Sequence, residues 1–230
     1  GLAEAPWTWE LVHQPRTWAA AACLILAFSV LSRATLAIWR LLKKGAPSSP
    51  WITAATYGAA LVALNVLLDP EQRLRGLGIE PLQSFFHKPS HFLDVPGKIV
   101  ATGLSLALGF KGGEFIPLAF IGAATGSFLA SQFTVPLAPL AAAGFVALFG
   151  SVAQVPVSMT LLALELFVPW TPSGDFLISL CAFSTLCWLT FVVSPEAGIY
   201  VGQRPGLVQG KRALLWRPWR YFTQSGSPHP

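Results

Sequence analysis

The stretch GFKGGEFIP, residues 109–117, lies where the charged part of the chain gives way to its longest uncharged run. No charged side chain follows between residues 115 and 164. Adjacent glycines allow a tight backbone turn without side-chain clashes. Proline is favoured at a helix start, because its missing N–H would have had no partner there. The stretch therefore predicts a turn at Gly112 and Gly113, followed by a helix over residues 115–129.

The predicted helix start has the chemistry of an anion site. The first N–H groups of a helix have no intrahelical partner, and the helix dipole adds positive potential to them. If this end lies inside a membrane, these groups suit a small anion.

Glu114 stands at the same helix end and allows two interpretations. It caps the helix at a membrane surface, where a carboxylate at a helix N-terminus is favourable. Alternatively it lies inside the membrane, where ionisable residues are costly and usually functional, and binds protons. An anion and a proton at one site would be the arrangement of an anion/proton exchanger.

The composition predicts an all-α integral membrane protein. Of the 230 residues 53% are hydrophobic and only 11% are charged, and the mean hydropathy is +0.58. Soluble domains carry roughly 25% charged residues, and a membrane crossing needs about 20 apolar residues. Five or six segments are predicted: residues 17–44, 51–68, 96–108, two passages within 115–164, and 176–195. Prolines and glycines interrupt the later segments, and the Gly122-x3-Gly126 spacing predicts close helix packing.

The charges indicate topology rather than a nucleic-acid partner. The net charge is +5. The basic residues of the chain cluster at the ends of the predicted segments and in the C-terminal tail, which contains the stretch RALLWRPWRYF. Lysine and arginine mark cytoplasmic flanks of membrane segments. We therefore expect a cytoplasmic C-terminus. Because Gly1 is not methionine, we also expect the chain to be part of a longer protein, with N-terminal processing as the alternative.

Five stretches, in order, resemble the CLC chloride channel and transporter family, which is the voltage-gated chloride channel family. GGEFIPLAFIGAATG (112–126) resembles the family's Gly-x-Phe-x-Pro motif. The other four are GLGIEPLQSFF (76–86), PGKIVATGLSLALGFKGGEF (96–115), GSVAQVPVSMTLLALELF (150–167) and GIYVGQRP (198–205). The last resembles the final membrane helix, which carries a tyrosine that faces the anion.

The resemblance implies the second half of a fold built from two inverted halves, with tilted and broken helices. It implies a partial membrane domain over residues 1–205 and an interfacial, cytoplasmic tail over 206–230. The family's gating motif, Gly-(Lys/Arg)-Glu-Gly, belongs to the first half and does not occur in this chain. The resemblance also implies a homodimer, with residues 156–167 and 176–193 contributing to its interface.

The glutamate in the motif is similar to that of the bacterial fluoride/proton-exchanging branch, which resides in the inner membrane. The resemblance implies fluoride or chloride and protons as transported ions, with Glu114 in proton coupling. It implies an anion site formed by Gly112, Gly113, Glu114, Phe115, Ile116 and Tyr200. Threonine is common in that branch where this chain has Ile116. A passive chloride channel of the same family and a non-transporting membrane remnant remain as alternatives.

Other chemistry has weaker support. His87, His91 and Asp94 have a spacing that could bind a metal on a helix, but Pro89 interrupts that helix. Ser127 could be the nucleophile of a serine hydrolase, but no histidine lies in any long apolar segment to activate it. Glu165 is interpreted as structural. We therefore expect no enzyme activity, no metal and no cofactor.

Overall fold

The computed structural model describes residues 6–67, 73–110, 113–169 and 174–193. Within these ranges helices with short connections make up the chain, which confirms the all-α prediction. In order they are α1 (Trp9–Val12), α2 (Pro15–Gly45), α3 (Pro50–Leu67), α4 (Ile79–Ser84), α5 (Asp94–Ala107), α6 (Phe115–Gln132), α7 (Leu137–Ala153), α8 (Pro156–Phe167) and α9 (Gly174–Val193). Helices α2, α3, α6 and α9 are long and apolar enough to cross a membrane, whereas α7 and α8 are apolar but shorter.

Proline sets where the helices begin. Each helix from α2 to α8 has a proline among its first three residues. These positions lie in the first turn, where a missing N–H removes no intrahelical hydrogen bond. The observed bounds of α2, α3 and α5 therefore lie within two residues of the predicted segments. Predicted short helical pieces between α3 and α5 correspond to α4.

The long uncharged run departs from its prediction. We predicted two passages over residues 115–164, and the structure has three helices there, α6, α7 and the start of α8. The breaks use left-handed backbone at two residues other than glycine, Thr134 (φ 53°) and Gln154 (φ 65°). Left-handed backbone ends a helix, and Pro136 and Pro156 then open the next ones. Glycine, the usual residue for such a turn, is absent from both breaks, so the number of helices in this run exceeds the number of passages predicted.

The core lies around α6 and α7, which share the largest interface of the described part. Small residues line this interface, and Gly122 of α6 faces Gly144 of α7. Helices approach closely in membranes where both carry small residues. By contrast α3 buries only Thr53 and exposes an apolar surface, as a membrane protein does. This packing also holds α6 in place, and the candidate site lies at the N-terminal start of α6.

Candidate functional site

Glu114 is the N-cap residue of α6 (φ −73°, ψ −9°). Its carbonyl oxygen accepts the first helical hydrogen bond, from the Leu118 N–H at 3.1 Å. Its carboxylate makes no capping hydrogen bond and is half-buried. A capping carboxylate would bond to the N–H of the second or third helical residue. The side chain is thus available to a ligand or a proton rather than used in closing the helix.

Two backbone N–H groups of the first turn remain for a ligand. Pro117 has no N–H, and the Leu118 N–H is bonded to Glu114. Among the described residues the N–H groups of Phe115 and Ile116 have no hydrogen-bond acceptor. Both residues are half-buried, and Gly113 before them is exposed. The first turn of α6 therefore presents a pair of adjacent donors beside the Glu114 carboxylate, reinforced by the helix dipole.

Phe115 holds this helix start against α7. Its ring contacts Phe145 and Phe149 edge to face, with centroid distances of 5.7 and 4.9 Å. Phe145 in turn contacts Phe167 of α8 at 5.4 Å. Edge-to-face pairs fix the relative orientation of aromatic rings. The two donors therefore lie on a firmly packed helix end.

A cavity of about 470 Å³ borders the same helix start. It lies between α3, the segment 74–77, α5 and the beginning of α6. Gly113, Glu114 and Pro117 form one wall, and Lys98 and Arg75 contribute to others. Most of its lining is apolar, and the charged side chains among its described lining residues are Arg75, Lys98 and Glu114.

Lys98 of α5 connects the elements around this cavity. Its side chain is 1% exposed, and its Nζ donates to the carbonyl oxygens of Leu74 (3.1 Å) and Gly76 (2.9 Å). The same Nζ lies 5.0 Å from the centre of the Phe120 ring on α6. Carbonyl dipoles and a ring face both stabilise an ammonium group. Sequence reasoning missed Lys98, although it is the lone charge between Asp94 and Lys111 and so a candidate functional residue.

Some predicted site residues lie outside the described part of the chain. These are Gly112 and Tyr200, together with the tail 206–230. The structure thus brings together Gly113, Glu114, Phe115 and Ile116.

Ser127 and Asp94, two of the remaining candidates, have structural partners. Ser127 is buried, and its Oγ donates to the carbonyl oxygen of Lys88 at 3.1 Å. Asp94 accepts hydrogen bonds from Arg73 and from the His91 backbone N–H, each at 2.8 Å. Glu165 is exposed on α8. These contacts tie loops to helices and assemble no further site.

Helices long and apolar enough to cross a membrane, together with a helix whose uncapped start borders a cavity, are typical of an integral membrane protein of the channel and transporter class. The family model described as voltage gated chloride channel matches residues 5–186. The chain therefore belongs to the voltage-gated chloride channel family, as the sequence motifs predicted.

Two relatives show what the chain resembles. It is 36% identical over 170 residues to the chloride/fluoride channel protein of Pseudomonas syringae pv. tomato, a match that covers 73% of this chain and 36% of that protein. It also superposes on the crystal structure of a CLC-type fluoride/proton antiporter with a TM-score of 0.73 and 25% identity. That match covers 86% of this chain and 49% of the antiporter chain. The chain thus spans half or less of the length of these relatives.

Proposed function

We propose that this chain forms one of two halves of an anion pathway across the membrane, and that the complete protein exchanges fluoride or chloride for protons. The observation that carries the proposal is the uncapped Glu114 carboxylate beside the free N–H groups of Phe115 and Ile116. The donors suit an anion, and the carboxylate suits a proton. A fluoride/proton antiporter among the similar structures supports this assignment.

In this proposal the residues of the site have different roles. Gly112 and Gly113 shape the approach, the N–H groups of Phe115 and Ile116 bind the anion, and the Tyr200 hydroxyl donates to it. Glu114 carries the proton. An ionised carboxylate next to the bound anion would repel it, so protonation of Glu114 favours anion binding. This linkage couples the occupancy of the two ions at one site.

The proposal extends to the arrangement of the protein. Residues 1–205 form the partial membrane domain, and residues 206–230 form a basic tail on the cytoplasmic side of a bacterial inner membrane. Helices α8 and α9 contribute to a homodimer interface. Several of their large apolar side chains are exposed, among them Leu161, Leu177 and Trp188.

A passive channel is the second candidate, because the Pseudomonas syringae relative is called a chloride/fluoride channel protein. The two candidates differ in whether anion flow moves protons. The test is reconstitution of the complete protein in liposomes, with fluoride or chloride efflux recorded with and without a pH gradient. Exchange predicts that an outward fluoride gradient drives proton entry.

Glu114→Gln is the decisive variant, with Glu165→Gln as the matched control because Glu165 is exposed on α8. We expect Glu114→Gln to abolish fluoride-driven proton movement and Glu165→Gln to leave it intact. Unchanged coupling in Glu114→Gln would overturn the role of Glu114. Anion flux without proton movement in the unaltered protein would favour the channel, and absence of any flux would favour a non-transporting remnant. Robust flux from the 230 residues alone would contradict the two-halves proposal.

A further inference from the structure

The connection between α4 and α5, residues 85–93, is fixed to α6 through its backbone. Ser90 is buried, and its Oγ donates to the carbonyl oxygen of Ala124 at 2.7 Å. Ser127 of α6 donates in the opposite direction, from its Oγ to the carbonyl oxygen of Lys88 at 3.1 Å. The backbone of the α4–α5 connection therefore has a defined course along the second half of α6.

Most side chains of the α4–α5 connection are nevertheless exposed. The exposed residues are His87, Lys88, Pro89, His91, Phe92 and Leu93. Phe92 is 65% exposed, although the Asp94 carboxylate accepts the preceding His91 N–H at 2.8 Å and so holds the backbone beside the ring. Apolar side chains gain free energy when they leave water. A ring held outward by an ordered backbone therefore suits an apolar surrounding outside the protein.

The α4–α5 connection lies near the end of α6, a helix long and apolar enough to cross a membrane. Ser127 stands five residues before the last residue of α6, Gln132, which is roughly 8 Å along the helix axis. The start of α2 lies at the same end, because Arg16 donates to the Oγ1 of Thr134 at 3.3 Å. Trp18 of α2 is 50% exposed there, and tryptophan is enriched at the headgroup layer of membranes. These positions place the α4–α5 connection at the depth of lipid headgroups.

The α4–α5 connection carries positive charge and no negative charge. It contains no aspartate or glutamate, and Lys88 is exposed. Asp94, the next residue, is buried and pairs with Arg73 at 2.8 Å. His91 adds a donor, because the Leu93 N–H donates to its Nδ1 at 3.4 Å and the proton of the neutral ring then lies on Nε2. An ammonium group and an imidazole N–H beside an apolar ring match a phosphate above acyl chains.

We propose that the α4–α5 connection is a binding site for an anionic phospholipid of the surrounding membrane. Lys88 pairs with the lipid phosphate, and the Nε2–H of His91 donates to it. Phe92 and Leu93 lie among the first carbons of the acyl chains. A headgroup without net charge neutralises its own phosphate, so it attracts Lys88 less. Because the backbone is already ordered, little conformational freedom is lost on binding. Such a site would stabilise the protein whichever ion it carries.

The preference for an anionic headgroup is tested on the complete protein in a neutral detergent, by the midpoint of thermal unfolding. Phosphatidylglycerol and phosphatidylcholine with the same acyl chains are added separately, and inorganic phosphate is added in a third series. A ligand that binds the folded state raises the midpoint. We expect phosphatidylglycerol to raise it by several degrees more than phosphatidylcholine, and inorganic phosphate to leave it unchanged. Equal shifts from the two lipids, or an equal shift from inorganic phosphate, would overturn the lipid site.

Lys88→Gln should remove at least half of the difference between the two lipids, whereas Lys88→Arg keeps the charge and should retain that difference. Because Lys88 is exposed, both variants should unfold like the unaltered protein when no lipid is added. Lys43→Gln is the matched control, since Lys43 is exposed at the opposite end of α2 from Arg16. A full lipid difference in Lys88→Gln, or equal losses in Lys88→Gln and Lys43→Gln, would overturn the role of Lys88.

The depth of Phe92 is tested separately with a nitroxide spin label. Phe92→Cys is introduced into the complete protein with Cys23 and Cys181 replaced by serine, and the same background without Phe92→Cys serves as the blank. In liposomes that contain phosphatidylglycerol, collisions of the label with oxygen, which concentrates among acyl chains, are compared with collisions with a water-soluble nickel chelate. We expect oxygen to be favoured at Phe92→Cys and the chelate at Ser48→Cys, an exposed position in the turn between α2 and α3. A preference for the chelate at both positions would contradict the insertion of Phe92.

Discussion

Gly122 of α6 and Gly144 of α7 face each other so closely that a Cβ on either residue would overlap the backbone carbonyl oxygen of the other. Backbone cannot rotate away as a side chain can, so the helices would have to separate. Gly126, one turn further along α6, meets the carbonyl of Leu140 in the same way. The position of α6, and with it the candidate site, depends on these contacts between backbones.

We therefore expect Gly122→Ala to destabilise the protein by about 2 kcal/mol, within the range for overpacked interiors. Gly58→Ala is the matched control: Gly58 lies inside α3, and a Cβ there would meet nothing within 4 Å. Alanine should stabilise that helix slightly through its higher propensity. Thermal unfolding in detergent, followed by size-exclusion chromatography, measures both. Equal stability of the two variants would show that the α6–α7 contact is looser than described.

Phe115 should matter for both stability and anion binding, because its ring holds the first turn of α6 against Phe145 and Phe149. We expect Phe115→Ala to cost about 2 kcal/mol, less than the 3–5 typical of fully buried phenylalanines, since the residue is half-buried. Anion flux in liposomes should fall several-fold, as the donor N–H groups lose their fixed orientation. Phe128→Ala, at a 38% exposed position of the same helix, is the control and should leave flux unchanged. Loss of stability with full flux would argue against a positioning role.

The sequence predicted those features of the fold that local chemistry decides. Glycines 112 and 113 with Pro117 placed the start of α6 correctly, because turn and helix-start preferences act over a few residues. The small-residue spacing of Gly122 and Gly126 predicted close packing. It could not identify Gly144 as the partner, since many helices of this chain carry small residues.

Features that depend on tertiary contacts were not predicted from the sequence. The turns at Thr134 and Gln154 use backbone that side chains disfavour, and hydrogen bonds from Val135 to Ala130 and from Val155 to Gly150 close the backbone across them. Lys98 could have been recognised from the sequence as a candidate functional residue, because it is an isolated charge in an apolar segment. Its carbonyl partners lie 22 and 24 residues away in the chain, so their identity and the cavity beside them required the structure.

Lys98→Met tests whether this lysine secures the segment 74–77. The change removes a charged donor from the carbonyl oxygens of Leu74 and Gly76, and hydrogen bonds to charged groups contribute about 1.5–3 kcal/mol each. We expect a loss of at least about 2 kcal/mol in the free energy of unfolding, and faster proteolysis of the loop before α4. Lys88→Met, at an exposed lysine, is the control. Equal behaviour of the two variants would contradict the role of Lys98.

Ile116 offers a test of ion preference at the site itself. Its N–H is one of the two free donors of the first turn of α6, and its side chain carries no polar group. Ile116→Thr would place a hydroxyl donor on the same residue. Fluoride is smaller than chloride and concentrates its charge, so an added donor stabilises it more at the shorter contact distance.

We therefore expect Ile116→Thr to raise the ratio of fluoride to chloride flux by several-fold. Ile116→Val is the matched control, because valine has the shape of threonine without the hydroxyl, and its ratio should stay near that of the unaltered protein. Ion-selective electrodes on liposomes that contain the complete protein measure both fluxes. If valine and threonine change the ratio equally, cavity size rather than hydrogen bonding determines selectivity at this position. In that case the side chain of residue 116 donates no hydrogen bond to the anion.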